Sequence, residues 1–227
     1  VDVSGRFLYG APAAGLGGEG TMTITSDSTP FDDIPALKGF VFGKVDETFE
    51  GTQVTMAVTE TDAQGKTKAT AAIDALAETT LPLRADMTIS IYEPGGRTTS
   101  DQISLPVRTR DTLIGVRPGF DWNSVQENTP ANFEVLAVDE LGKQKALRNV
   151  SWELVFEDID YRWYQVDNDW KYERVVNDRI VAGGKTDLTS SAPFKISKPL
   201  PWGSYRLTVA DAQSGATTAY RFWSGWG

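Results

Sequence analysis

Residues 85–92 read Ala85-Asp86-Met87-Thr88-Ile89-Ser90-Ile91-Tyr92. Met87, Ile89 and Ile91 fall on one side of a two-residue repeat, and Asp86, Thr88 and Ser90 fall on the other. Side chains alternate across a strand, so this stretch describes a strand with one buried face. Pro94-Gly95-Gly96 follows it, and proline with glycine suits a tight turn. The same period recurs outward in both directions. Residues 53–61 (QVTMAVTET) place Val54, Met56 and Val58 together. Residues 132–138 set Phe133, Val135 and Ala137 against Glu134, Leu136 and Val138. Residues 151–156, 204–209 and 218–223 alternate as well, and Gln64-Gly65, Leu141-Gly142, Asn168-Asp169 and Ser214-Gly215 supply turns between runs. A strand and turn every ~10–15 residues is the rhythm of antiparallel sandwiches. One segment is ambiguous. Residues 68–78 (KATAAIDALAE) are Ala-rich and suit a short helix. A strand through 67–73 is preferred, because its neighbours are strands.

Composition narrows the chemistry. The chain has 227 residues, no cysteine and no histidine, and a net charge of -9. Without cysteine there is no disulfide, thiolate zinc site, Fe–S cluster or cysteine nucleophile. Without histidine the usual base of a serine or cysteine triad is missing. The acidic balance argues against binding to a phosphate backbone, which relies on clustered Lys and Arg. All seven tryptophans lie beyond residue 111, and the net charge divides as -7 before residue 112 and -2 after it. That asymmetry predicts two domains, 1–111 and 112–227. Leu105-Pro106-Val107-Arg108-Thr109-Arg110-Asp111 is the expected link between them. The chain opens Val1-Asp2-Val3-Ser4, with no basic n-region and no apolar run. With no initiator Met, it is read as an excised fragment or a mature piece.

Four groups of residues invite a chemical reading. Gly15-Leu16-Gly17-Gly18-Glu19-Gly20 matches the dinucleotide fingerprint, but Thr21-Met22-Thr23-Ile24-Thr25 after it reads as a strand, not a helix. A glycine-rich turn is the better reading. Glu157-Asp158-Ile159-Asp160 and Asp167-Asn168-Asp169 are acidic, but neither has calcium-loop spacing. The second falls where a hairpin turn belongs. A glycosidase carboxylate pair is defined by distance in space, which acid counts alone do not give. Tyr161-Arg162-Trp163-Tyr164 and Trp170-Lys171-Tyr172 form an aromatic hairpin. It serves either as core or cross-strand ladder packing, the preferred reading, or as an exposed face that stacks on sugars or a partner. S-x-x-K does not occur, and Asn149-Val150-Ser151 is read as an accidental glycosylation signal at a strand start. No catalytic, cofactor-binding or metal-binding residue is assigned, no cofactor is expected, and the chain is not read as an enzyme.

The strings themselves resemble a known family. Gly5-Arg6-Phe7-Leu8-Tyr9-Gly10-Ala11-Pro12-Ala13, then Gly39-Phe40-Val41-Phe42-Gly43 and Glu47-Thr48-Phe49, resemble a macroglobulin-like domain of the bacterial alpha-2-macroglobulins. Arg117-Pro118-Gly119-Phe120, Trp152-Glu153-Leu154, Tyr161-Arg162-Trp163-Tyr164, Trp170-Lys171-Tyr172-Glu173, Trp202-Gly203-Ser204-Tyr205-Arg206-Leu207 and Gly225-Trp226 look like the next domain of the same family. The resemblance implies the fifth and sixth such domains, just before the bait region. The implied fold is all-β, two tandem seven-stranded antiparallel β-sandwiches of the fibronectin type III-like kind.

It also implies a function for the parent protein. That protein would be a periplasmic, lipid-anchored, non-catalytic peptidase inhibitor of the cell envelope. It would trap its attacker after bait cleavage, in many members with a thioester. Its partners would be target peptidases, a periplasmic penicillin-binding protein and neighbouring macroglobulin-like domains. With no cysteine, these residues hold no thioester. Residues 180–199, the longest stretch that reads as irregular, are taken as an internal loop and not as bait. The chain would therefore be scaffold. The alternative is a free-standing carbohydrate-binding or adhesive module using Trp163 and Trp170.

Overall fold

The computed structural model describes residues 1–166 and 169–225; the side chains at 159–164, 166 and 171–176 lie outside that description. In chain order the strands are β1 (Asp2–Ser4), β2 (Gly18–Ser26), β3 (Val41–Phe42), β4 (Thr52–Val58), β5 (Lys66–Thr70), β6 (Leu83–Tyr92), β7 (Thr98–Val107) and β8 (Leu113–Pro118). They continue as β9 (Ser124–Gln126), β10 (Pro130–Val138), β11 (Gln144–Lys145), β12 (Leu147–Val166), β13 (Asp169–Leu188), β14 (Phe194–Pro199), β15 (Gly203–Ala210) and β16 (Thr217–Gly225). Apart from one 3-10 turn, Pro35–Leu37, regular structure among the described residues is strand. The all-β class therefore holds, and among the described residues the strands pair antiparallel except β9 with β16, with one further parallel bridge at Lys44↔Ala219. Residues 71–78 are not helical; β5 ends at Thr70 and the chain runs on without regular structure to β6.

The chain divides into two compact units. The first comprises Val1–Pro30 and Thr48–Thr109. Its strands hydrogen-bond in the order β1-β5-β4-β2-β6-β7. The alternation in residues 85–92 does what it predicts: Ala85, Met87 and Ile89 are buried with Met22, Ile24, Met56, Ala69 and Leu83. Burying each large aliphatic side chain of such a set stabilises the fold by roughly 1.5–3 kcal/mol. β7 is the outer strand and is exposed along almost its whole length.

The second unit comprises Phe31–Glu47 and Arg110–Gly227. One sheet runs β11-β10-β8-β3, with β14 also on β10, and the other runs β13-β12-β15-β16-β9. The sheets face each other across one core. Ile114, Val116, Phe133, Val135 and Ile196 come from the first, and Leu154, Tyr205, Leu207, Val209, Tyr220 and Phe222 from the second. Phe133 and Phe222 meet edge-on with ring centroids 5.1 Å apart, a geometry that adds to simple burial. Among the described residues the first unit has six strands and the second ten, against the expected seven in each.

Phe31–Glu47 departs from the sequence division at residue 111, because it packs in the second unit. The cause is apolar. Phe31, Leu37, Phe40 and Phe42 are buried with Leu113, Leu136 and Val138, on the face of β8 and β10 that points away from the main core. β10 is consequently buried on both faces in its C-terminal half. The strap then closes the edge of the sandwich. Val41 and Phe42 pair with Val116 and Gly115 on β8. Three residues later the Val45 N–H donates to the Ala219 carbonyl on β16 at 3.1 Å. Gly43, at φ +84°, makes the step between sheets, a backbone region that glycine enters without a Cβ penalty. The Thr218 hydroxyl, fully buried, accepts from the Gly43 N–H at 3.1 Å and donates to the Ile114 carbonyl.

Two further sequence expectations change here. Leu105, Pro106 and Val107 belong to β7, so the irregular connection begins at Arg108. Residues 180–199 are mostly strand, the end of β13 and all of β14. The Gly, Lys, Thr and Ser residues there mask a strand because β13 lies at a sheet edge and its residues 180–187 are largely exposed.

This packing makes two measurable differences. Phe42→Ala should lower the unfolding free energy by about 3 kcal/mol, read from urea denaturation followed by intrinsic fluorescence. The second concerns the turn between β15 and β16. Burial pushes the Asp211 carboxyl up, but hydrogen bonds from the Ser214 hydroxyl and N–H and the Gln213 N–H outweigh it and hold the carboxyl below its ordinary value. A depressed folded pKa stabilises above the unfolded value and is lost as pH falls through the folded one. Asp211→Asn should therefore be less stable than the parent at neutral pH. The gap should close at acidic pH in thermal melts.

Candidate functional site

The glycine motif is structural. Gly18 begins β2, which continues as a strand to Ser26. A Cβ on Gly18 would lie 2.5 Å from the Ser90 carbonyl and 2.8 Å from Ile91 Cδ1; one on Gly20 would lie 3.0 Å from Met56 Cβ. Close approach of β2 to its neighbours thus requires glycine at Gly18. A helix N-terminus, which a pyrophosphate would need, does not come after it.

The acidic run after Phe156 has a different fate from the one expected. Glu157, on the outer face of β12 and only 6% exposed, sits between two arginines. Arg221 Nε donates to Glu157 Oε2 at 2.6 Å and Arg221 Nη2 to Oε1 at 3.0 Å. The same guanidinium grips Asp46 of the strap, Nη1 to Oδ1 at 2.5 Å and Nη2 to Oδ2 at 3.0 Å. Arg206, the register partner of Arg221 on β15, donates to Asp178 at 2.7 Å. Its Nε lies 3.3 Å from Glu157 Oε1, an ion pair without hydrogen-bond geometry. Asp158 is exposed. The side chain of Asp160 and the pair Asp167-Asn168 lie outside the described residues. Among the described residues, no three acidic groups converge as metal ligands would.

A second arginine holds the other end of the strap. Arg117 on β8 bonds Glu134, reaches the Lys38 carbonyl at 3.2 Å, and stands 4.4 Å over the Phe40 ring. The electrostatics fit this clasping role. Hydrogen bonding to Glu157, then to Asp46, raises the Arg221 pKa against the opposing effect of burial. Burial raises Tyr205 and Tyr220. The Ser104 hydroxyl lowers Asp86. None of these shifts moves a group toward neutrality, where general acid–base work is favoured.

The aromatic hairpin has a described backbone. β12 pairs with β15 only over Ser151–Glu157, and beyond it β12 and β13 continue alone from Asp158↔Asn177 to Val166↔Asp169. Trp163 is opposite Tyr172, and Gln165 is opposite Trp170. The side chains of Tyr161, Arg162, Trp163, Tyr164, Lys171 and Tyr172 lie outside the described residues. Trp170 is 67% exposed, so it is not core at that position. Elsewhere, Trp202 and Trp223 meet edge-on at 5.3 Å, both partly exposed. Asn149, at φ +59°, is exposed where β12 begins.

Sequence reasoning missed the strap and its clasp. A usable signal was present: three phenylalanines, Phe31, Phe40 and Phe42, in a segment otherwise rich in Gly, Pro and Asp. Exposed ion pairs contribute about 0–1 kcal/mol, whereas stripping a partner from a buried charge costs more, up to about 3–5 kcal/mol. Glu157 keeps Arg206 when Arg221 is lost. Arg221→Met should therefore cost about 2 kcal/mol in urea unfolding, and Asp46→Asn, whose partner stays paired with Glu157, less than about 1 kcal/mol.

Comparison with known proteins gives these two units a lineage. Residues 1–108 match the family described as "Bacterial Alpha-2-macroglobulin MG5 domain", and residues 115–226 match "Bacterial macroglobulin domain 6". An alpha-2-macroglobulin of Xylella fastidiosa (strain 9a5c) is 31% identical over 97% of this chain, and one of Escherichia coli (strain K12) is 29% identical over 99%. The chain spans only 13% and 14% of those relatives. Among solved structures, Salmonella alpha-2-macroglobulin reacted with methylamine is 27% identical with a TM-score of 0.71. The native conformation of Escherichia coli alpha-2-macroglobulin is 28% identical with a TM-score of 0.70. Each match covers 99% of this chain and 15% of the solved one. Two consecutive domain matches and a shared fold over the whole length have one reading: the chain belongs to the bacterial alpha-2-macroglobulin family, of which it carries macroglobulin domains 5 and 6.

Proposed function

We propose that these domains are non-catalytic scaffold in a protein that inhibits peptidases by trapping them after its bait is cut, with bait and any thioester outside these residues. The observation that carries this reading is the use of the conspicuous charges. Glu157, Asp46, Arg206 and Arg221 are spent on one another and on fastening the strap. Groups whose hydrogen bonds are made to one another are not presented to a substrate. One solved relative is described as activated by porcine elastase and another as activated by trypsin, which suits a parent protein that meets peptidases. On the same reading the parent works in the periplasm, held at the inner membrane by a lipid anchor, and its neighbouring macroglobulin-like domains are this chain's nearest partners.

The decisive experiment compares this chain with its full-length parent as inhibitors of trypsin acting on a large protein substrate. The parent should inhibit and the 227-residue chain should not. Inhibition by the chain alone would overturn the scaffold reading. The exposure of Trp170 favours testing glycan binding as a second reading. Tryptophan fluorescence should stay unchanged on titration with peptidoglycan fragments.

A further inference from the structure

We propose that residues 71–80 of the first unit form a processing site for serine peptidases whose specificity pocket takes small aliphatic side chains. The inference does not depend on the scaffold reading. Three observations meet there. First, the chain between β5 and β6 has neither strand nor helix from Ala71 to Pro82. The irregular segment 5–15, by contrast, is tied down: Gly5, Phe7, Gly10, Ala13 and Gly15 all donate backbone hydrogen bonds. Residues 72–78 make none among the described residues. A peptidase binds its substrate as an added extended strand and needs those backbone groups free.

Second, the segment is accessible. Ala72, Ile73, Asp74, Ala75, Ala77 and Glu78 are exposed, Ile73 to 48%. Leu76 is partly buried against the core, and Thr79 is buried, its hydroxyl accepting from the Leu81 N–H at 3.0 Å. Leu76 has to lift for the exposed residues 72–78 to enter a cleft, while Ala71 and Thr79 are packed at either end. Third, the side chains choose the enzyme. From Ala69 to Leu83 there is no Lys, Arg, Phe, Tyr or Trp. A pocket with a buried carboxylate, or a deep aromatic slot, finds nothing to hold. A small apolar pocket finds Ala72, Ala75 and Ala77.

Cleavage is ordinary hydrolysis. The peptidase's serine attacks the scissile carbonyl and the C–N bond breaks. The amine leaves with a proton, and water then releases the acyl fragment as a carboxylate. The sheet order keeps the two pieces together after the cut. β5 stays bonded to β4 and to β1, and β6 stays bonded to β2 through nine register pairs, Gly18↔Ile91 to Ser26↔Leu83. The cut chain therefore remains one particle.

The test is brief digestion of the folded 227-residue chain with pancreatic elastase, and in parallel with trypsin and chymotrypsin at equal activity. The new termini are read by mass spectrometry. Elastase should cut first, within 72–79, at least tenfold faster than either other enzyme removes intact chain. The product should elute as uncut protein in size exclusion and separate into two pieces only under denaturing conditions. Ala75→Pro combined with Ala77→Pro fixes φ and removes N–H groups that binding requires; it should extend survival at least tenfold without changing the thermal midpoint. A first elastase cut outside 71–80, or equal loss with trypsin or chymotrypsin, would overturn the proposal, and both are read on the unmutated chain.

Discussion

Two sheets packed face to face hide their inner surfaces but leave open edges, rows of N–H and C=O groups with no partner. In the second unit that constraint is met by chain from far away in sequence. The strap bonds first to β8 and then, beyond Gly43, to β16. One short crossing lines an edge of the first sheet, meets β16 at Ala219 on the side that β9 pairs further along, and covers the outer face of β8 and β10. Without it, β8 would be an open edge beside an exposed apolar face made by Leu113, Leu136 and Val138, a template for aggregation.

Apolar burial and charge divide the work of holding the strap. Phe31, Leu37, Phe40 and Phe42 supply burial, which is strong but indifferent to small sliding. Arg117 at one end and Arg221 at the other are directional: Arg221 bonds both carboxylate oxygens of Asp46, Arg117 bonds the Lys38 carbonyl, and a planar guanidinium makes such contacts in one geometry. The ions contribute register more than stability. Gly115 shows how tight the fit is: a Cβ there would come within 2.9 Å of the Phe42 ring.

Much of the fold was legible because its strands obey period two. Residues 85–92 and 204–209 alternate between buried and more exposed positions as the pattern says. Legibility failed where both faces of a strand are covered or both are open. In β10, Leu136 and Val138 looked like the second face of a half-buried strand, and the residues that cover them lie about a hundred positions earlier. In β13, exposed Gly, Lys and Thr looked like a loop because no core selects against them. The candidate site was less legible still. Glu157 read as one member of an acidic surface run, and only the fold brings Arg206, Arg221 and Asp46 around it. The glycine motif was legible, since the alternating residues Thr21–Thr25 directly after it already exclude a helix.

The strap also separates two meanings of the word domain. By sequence it falls inside the fifth macroglobulin module, which matches residues 1–108. By packing it is part of the sixth. Anyone transplanting the sixth module between relatives at the apparent boundary would leave its edge strand, two of its clasping contacts and four of its buried side chains behind in the donor. The exchangeable unit is discontinuous, and Phe31–Glu47 has to travel with it. The two modules are therefore expected to have drifted together over evolutionary time, with substitutions in the strap matched by substitutions in β8, β10 and β16.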